Sequence, residues 1–368
     1  MRCPELGEDA VALRGLRASD ASALGALVAD RDVQRWLPRP SGLGDSGESV
    51  ADVADRAERG WDAGTWLPLA VDVEGGFAGV LVLEPEEAGG AWVTGALAPH
   101  ARGRGSASAA LRLLLTWGFV ELGLQVVHAR LEVGAWAARR AVWACGFAVE
   151  GTVRDLLARD DDRRDAWVAS LRWDDPLRPR HRWLEAVPLA GDGVRLGPHV
   201  PDDVARITQA CAEATTQAWL PSLARPYTVL DAITHVGSCQ ERQARGTAVH
   251  WAVRGSGADE QLAEVGLFRL AEGARSAEIG YWCHPAARGR GVTTAAVALV
   301  TRHALAPEDA GGLGLERVVL LAARENAASR RVAVKAGFSE VGVDRLAERL
   351  RDGTRTDFVR YDLLAGEV

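Results

Sequence analysis

Two arginine–glycine runs are the residues here whose types and spacing most directly suggest chemistry. Pro99-His100-Ala101-Arg102-Gly103-Arg104-Gly105 returns as Pro285-Ala286-Ala287-Arg288-Gly289-Arg290-Gly291, 186 residues later as measured from Arg102 to Arg288. Each run follows an apolar, strand-like stretch and precedes an Ala/Leu/Val-rich one. The first N–H groups of a helix have no partner inside it, and the helix dipole adds positive charge there. Glycines let that backbone approach an anion without a Cβ in the way, and the arginines offer charge-assisted bonds to phosphate oxygens. A solvated surface turn would carry the same letters. The Walker pattern is absent, because no Gly-Lys-Ser/Thr follows. A dinucleotide G-x-G-x-x-G is absent too, since Ser108 and Thr294 stand where its last glycine belongs. A duplicated phosphate cradle is the reading that the repetition favours.

Positioning such a loop requires a strand before it and a helix after it, and the repeat supplies both twice. Trp36-Leu37-Pro38 returns as Trp219-Leu220-Pro221, Leu13 and Asp20 match Leu196 and Asp203, and Gly146-Phe147 matches Gly337-Phe338. The offset grows along the chain, which fits a loop-like insertion between Ala306 and Gly314. Two long copies mean paired domains rather than a solenoid. The expected division is a first domain over 1–178, a Pro-containing linker over 179–192 and a second domain over 193–368. Within each copy a short strand (Val11 to Arg17; Val194 to Val200) leads to a helix opened at Asp20 or Asp203. A second helix (Glu48 to Ala63; Val229 to Arg245) and three strands follow. In the second copy these are Ala248 to Arg254, Leu262 to Leu270 and Ala277 to Cys283. After the glycine loop come a helix (Ser106 to Glu121; Val292 to Leu305), a buried strand (Val126 to Val133; Val318 to Ala323) and another helix (Trp136 to Ala144; Ala327 to Ala336). Two strands close each copy. The fold class is therefore mixed α/β (α+β), with consecutive strands and one strand–helix–strand crossover.

The composition is that of an ordinary globular chain of 368 residues, 48% hydrophobic and 25% charged. A net charge of −7 argues against nucleic acid or an anionic membrane as the main partner. No signal-peptide core opens the chain, so the expected location is cytoplasmic. The cysteines Cys3, Cys145, Cys211, Cys239 and Cys283 form no C-x-x-C pair, and neither a disulfide framework nor a metal site is expected from their spacing.

The motif R-x-x-G-x-G/A after a strand resembles the acyl-CoA pyrophosphate loop of the GNAT N-acetyltransferase superfamily. Arg102, Gly105 and Ala107 match it fully; Arg288 and Gly291 match with Thr293 in the last place. Glu278-Ile279-Gly280-Tyr281-Trp282, Asn326-x-x-Ser329 and Val334-Lys335-Ala336-Gly337-Phe338 are similar to the branch that acetylates protein N-termini, including those of ribosomal proteins. The resemblance implies two tandem GNAT domains, each a central, mostly antiparallel mixed sheet flanked by helices. It implies acetyl-CoA as co-substrate and a primary amine as acceptor, on a peptide or protein N-terminus or a small molecule. The amine would attack the thioester directly through a tetrahedral intermediate.

On this resemblance Glu278 is the candidate base, although a solvated strand-end glutamate looks the same. Ser329 is the candidate acid for the departing thiolate, with Tyr281 a rival. Asn326 either contacts coenzyme or caps the following helix. Strand amides near Trp282 and Cys283 would hold the thioester oxygen. Arg288, Gly289, Arg290, Gly291, Val292 and Thr293 would hold the diphosphate, as would Arg102, Gly103, Arg104, Gly105 and Ala107 in the first copy. Counting from shared landmarks, Trp92, Gly95, Ala135 and Ala138 replace Glu278, Tyr281, Asn326 and Ser329. The expectation is a degenerate first domain beside a catalytic second one, an arrangement similar to that of mycothiol synthase, as a monomer or a homodimer. A non-catalytic acyl-CoA-binding regulator or scaffold is the alternative.

Overall fold

The computed structural model describes residues 2–37, 50–159, 162–270, 273 and 275–367. Pro38 and Glu48, named above in the repeat and at a helix start, lie outside them. Two compact units divide the chain, Met1–Arg180 and His181–Val368.

The first unit runs β1 (Leu6–Glu8), β2 (Val11–Arg14), α1 (Ala21–Ala29), α2 (Arg31–Trp36), α3 (Val50–Ala63), β3 (Leu67–Val73), β4 (Gly76–Pro85) and β5 (Gly90–Leu97). It continues with α4 (Ser106–Val120), β6 (Val126–Glu132), α5 (Trp136–Ala144), β7 (Ala148–Arg159) and β8 (Asp162–Arg172). The second unit repeats that order as β9 (Leu189–Gly191), β10 (Val194–Gly197), α6 (Asp203–Ala212), α7 (Ala214–Trp219), α8 (Val229–Ala244), β11 (Ala248–Gly255), β12 (Gln261–Phe268) and β13 (Ser276–Cys283). Its remaining elements are α9 (Val292–Leu305), β14 (Arg317–Ala323), α10 (Ala327–Lys335), β15 (Ser339–Arg349) and β16 (Arg355–Leu364). The segment expected as a linker supplies β9 and, through Leu184 and Ala186, part of the second core.

Each unit holds one eight-stranded sheet, ordered β1-β2-β3-β4-β5-β6-β8-β7 in the first and β9-β10-β11-β12-β13-β14-β16-β15 in the second. All pairings are antiparallel except β5 with β6 and β13 with β14, the two that need a helical crossover. This is the mixed α/β architecture that the repeat and its crossover predict. Strands β11 and β12 are buried along almost their whole length because helices cover both faces. On one face Trp251, Val265, Leu267 and Ile279 pack with Val297 and Val300 of α9. On the other, Trp282 packs with Ile207, Ala210 and Cys211 of α6 and Ala232 of α8.

The helix starts differ in one respect from the sequence expectation. Asp20 stands at the N-cap of α1 but makes no side-chain bond to that helix; its carboxylate accepts from Arg14 and from the Arg17 amide, which opens the short 3-10 turn over Ala18–Asp20. A bidentate arginine outcompetes a single helix amide. The strand before it ends at Arg14, three residues short of the expected Arg17, where the chain turns to deliver that carboxylate.

Candidate active site

The parallel pairing of β13 and β14 is short. Ser276 to Ile279 pair with Arg317 to Leu320, and there the pairing stops. β14 continues along β16 as far as Ala323 opposite Phe358, while β13 continues along β12 as far as Cys283 opposite Ala263. The β13 edge from Gly280 to Cys283 therefore faces β14 without a strand partner. This splay is the opening beside which the glycine loop and the start of α10 both lie.

Gly289 and Gly291 have φ of +74° and +78°, and a Cβ on either would meet nothing within 4 Å. The left-handed backbone, not crowding, is what requires glycine there. Gly291 is the N-cap of α9, and no side chain caps that helix. Among the described residues, the amides from Gly289 to Thr294 donate no hydrogen bond within the protein; the first helical amide to do so is Ala295, to the Gly291 carbonyl. The first unit repeats this arrangement, with Gly103 at +75°, Gly105 at +80° and an uncapped α4. A row of unpartnered amides at a helix start fits an anion.

The two arginines of the second loop part company. Arg288 donates to Glu213 at 2.7 Å and to the Thr216 hydroxyl at 2.9 Å. Glu213 in turn caps α7 by accepting from the Thr216 amide. The Arg288 guanidinium, with those amides, holds the Glu213 carboxyl well below the usual carboxylate range. Arg102 makes the equivalent contacts to Asp30 and Asp32, and Asp30 likewise caps α2. Arg288 and Arg102 thus tie the loop to a neighbouring helix, leaving Arg290, exposed and without an ion pair among the described residues, as the cation free for a ligand. Thr293 is buried beside the half-buried Cys283, whose thiol is pushed up by burial. His284 accepts from the Ala286 amide at 3.2 Å and serves the turn.

Across the splay, Tyr281 reaches α10. Its hydroxyl oxygen lies 2.8 Å from that of Ser329, and it donates to the Ser329 carbonyl at 3.2 Å. Burial pushes the Tyr281 phenol up to about 12. Asn326 caps α10, accepting from the Ser329 amide at 3.0 Å, so the cap and the hydroxyl pair are built from the same turn. Tyr281 and Ser329, two separate candidates in the sequence, are one unit in space. Glu278 lies on the opposite pleat, with Arg269 at 3.3 Å and its own side chain 29% exposed. Trp282 shares that pleat, its indole N–H buried without a partner. Sequence reasoning missed Glu213 and Asp30, for which spacing gives no signal, because each meets its arginine only through the tertiary fold.

Comparison with known proteins agrees with the duplicated fold. The Acetyltransferase (GNAT) domain matches residues 11–148 and again 194–339, so the chain belongs to the GNAT acetyltransferase family and carries two copies of its domain. One curated relative is the "Probable N-acetyltransferase YjcK" of Bacillus subtilis (strain 168). It is 32% identical over 120 residues, which is 32% of this chain and 64% of the relative. The chain thus spans a little under two thirds of that relative's length. Among solved structures, Mycobacterium smegmatis RimJ in complex with CoA-disulfide is similar at 22% identity, covering 50% of this chain and 88% of that one with a TM-score of 0.43. The RimL ribosomal L7/L12 alpha-N-protein acetyltransferase in complex with coenzyme A is similar at 20% identity, covering 48% and 98% with a TM-score of 0.42. No described helix is long and apolar enough to cross a membrane.

Proposed function

We propose that the second unit transfers an acetyl group from acetyl-CoA to a primary amine, on a peptide or protein N-terminus or on a small molecule. The observation that carries this is the Tyr281–Ser329 hydroxyl pair standing across an unpaired strand edge from a helix start with unpartnered amides. Diphosphate at Gly289 to Thr294, with Arg290, would direct pantetheine into the splay. Unpaired amides of β13 near Trp282 and Cys283 would then face the thioester oxygen, where a donor fixed in place stabilises an oxyanion. The Ser329 hydroxyl, held by Tyr281, gives the departing thiolate its proton. An α-amine has a pKa of about 8, so a carboxylate acting directly or through one water can take its proton. Glu278 is the group assigned to that step. Membership of the GNAT family and the name of the curated relative support an N-acetyltransferase.

The first unit keeps the cradle but not the proton-handling groups. Trp92 stacks with His128 and under Arg130, and Ala135, the N-cap residue of α5, offers no side-chain cap. This favours coenzyme binding, or a purely architectural role, for that copy. Release of free CoA thiol from acetyl-CoA should be followed with a panel of amines and N-terminal peptides. Acceptor-dependent release that falls in a Ser329→Ala/Tyr281→Phe variant is the expected result. Measurable CoA binding with no release to any acceptor would replace the enzyme with the scaffold reading.

A further inference from the structure

A buried polar cluster in the second unit lies beneath α8 and takes no part in the proposed transfer. His199 follows β10, His235 and Cys239 lie one turn apart on α8, and Glu264 is on β12. One ligand atom from each of these four falls within 4.8 Å of the other three. We propose that His199, His235, Cys239 and Glu264 bind one Zn2+ ion that fastens α8 and the loop after β10 to the sheet.

The His199 side chain is only 4% exposed, yet neither ring nitrogen makes a hydrogen bond, although Nε2 sits 3.2 Å from Glu264 Oε2. Buried polar atoms in folded proteins are nearly always satisfied, and an orphaned imidazole aimed at a carboxylate and a thiol invites a cation. His235 Nε2 lies 2.9 Å from the same Glu264 oxygen and 3.5 Å from Cys239 Sγ. Nitrogen, nitrogen, sulfur and oxygen thus converge on one point. A tetrahedral zinc site places its ligand atoms about 3.3–3.8 Å apart, so small rotamer adjustments complete it. One thiolate with two imidazoles and a carboxylate favours zinc over magnesium or calcium, which take oxygen alone. Charge closes as well: a thiolate and a carboxylate neutralise a divalent ion at a site where Cys239, Glu264 and the His199 side chain are buried and only His235, 32% exposed, reaches solvent.

The surrounding shell fits the same ion. Glu264 Oε1, the oxygen turned away from His199, lies 3.0 Å from His250 Nδ1. Asp203 Oδ2, held by Arg254 and the Val200 amide, stands 3.7 Å from His199 Nδ1, beyond hydrogen-bond distance, while Nε2 is the ring nitrogen near Glu264 and so the ligating atom. Such carboxylate and imidazole partners are what orient metal ligands. Gly266 makes room for this shell, since a Cβ there would come within 2.9 Å of both the His250 and Phe268 rings. The first unit shows that the fold does not need the cluster. By strand register Glu264 corresponds to Val80 and His250 to Pro68, and His199 falls at Leu16. Val80 and Leu16 belong to an ordinary apolar cluster. Four protein ligands leave no open position, so the site is structural.

The test uses the full chain purified without a polyhistidine tag. Elemental analysis should find one zinc per chain. After chelation, titration with Co2+ alone should give tetrahedral visible bands and a near-ultraviolet thiolate-to-cobalt band, both saturating at one equivalent. Cys239→Ser should remove the near-ultraviolet band. His250→Asn, which spares all four ligands, should weaken zinc about 10–100-fold. Should the cysteine variant not fold, the native cobalt spectrum and the His250 variant decide the matter. Native chain free of zinc and showing no tetrahedral cobalt spectrum, or a thiolate band that survives Cys239→Ser, overturns the proposal.

Discussion

Tyr281 is a phenol that burial keeps protonated to about pH 12, hydrogen-bonded to a serine that sits one turn inside a capped helix. That arrangement makes a donor whose state does not change across the working range of an enzyme. Its proton is present at every pH below the raised pKa and is lost only above it. The alkaline limb of kcat/KM should therefore stay flat to about pH 10. Tyr281→Phe keeps the ring and removes the donor, and should lower kcat about tenfold or more while leaving the KM for acetyl-CoA nearly unchanged. A rise in KM with kcat intact would instead make the pair a binding element. Ser329 and Tyr281 were each legible in the sequence as candidates; their union was not, because the partners are 48 residues apart and meet only where two strands diverge. The His199 cluster was harder still. Of its four members only His235 and Cys239 carry a spacing signal, the i, i+4 step of one helix, while the others arrive from a loop and a strand.

At the scale of elements, the strand–loop–helix order was readable nearly to the residue. The expected helix over Val292 to Leu305 is α9 itself, and the three strands before it end within two residues of their expected bounds. Periodicity and glycine punctuation carry that information locally. The edge strands β1 and β9 escaped because three residues pairing at a sheet margin leave no periodic trace. The glycines also sort by physical demand. Gly291→Ala meets open space but forces a left-handed alanine, at a cost of about 1–2 kcal/mol, and should weaken coenzyme binding while the chain stays folded. Gly312→Ala would drive its Cβ to 2.1 Å from the Ala306 carbonyl oxygen and should destabilise far more with no direct contact to the loop. Thermal melts with and without CoA distinguish the two, since only the first should lose ligand-induced stabilisation out of proportion to its intrinsic loss.

Duplication lets the whole molecule serve as its own control. Both copies bury an aspartate at the start of the first helix, Asp20 and Asp203, yet the arginine that pairs with it comes from β2 in one and from β11 in the other. The copies have preserved an interaction while exchanging the strand that supplies it. In the first, burial works against the Asp20 carboxylate, but hydrogen bonds from Arg14 and the Arg17 amide outweigh it and lower its pKa below 3.8. A lowered folded pKa gives stability that is complete above the unfolded value and lost as pH falls through the folded one. Asp20→Asn should therefore cost the first unit about 2 kcal/mol at pH 7 in urea unfolding, and the cost should shrink towards pH 3. The proposed division of function runs along the same line, and matched loop variants of the intact chain test it. Aspartate tolerates a left-handed backbone better than most residues and sets a carboxylate against the diphosphate, so Gly105→Asp and Gly291→Asp are a balanced pair. Gly291→Asp should reduce turnover about a hundredfold, and Gly105→Asp should leave it within about twofold while removing any second coenzyme bound in calorimetry. Turnover lost from Gly105→Asp and kept in Gly291→Asp would assign the chemistry to the first copy, despite its Trp92, Gly95, Ala135 and Ala138.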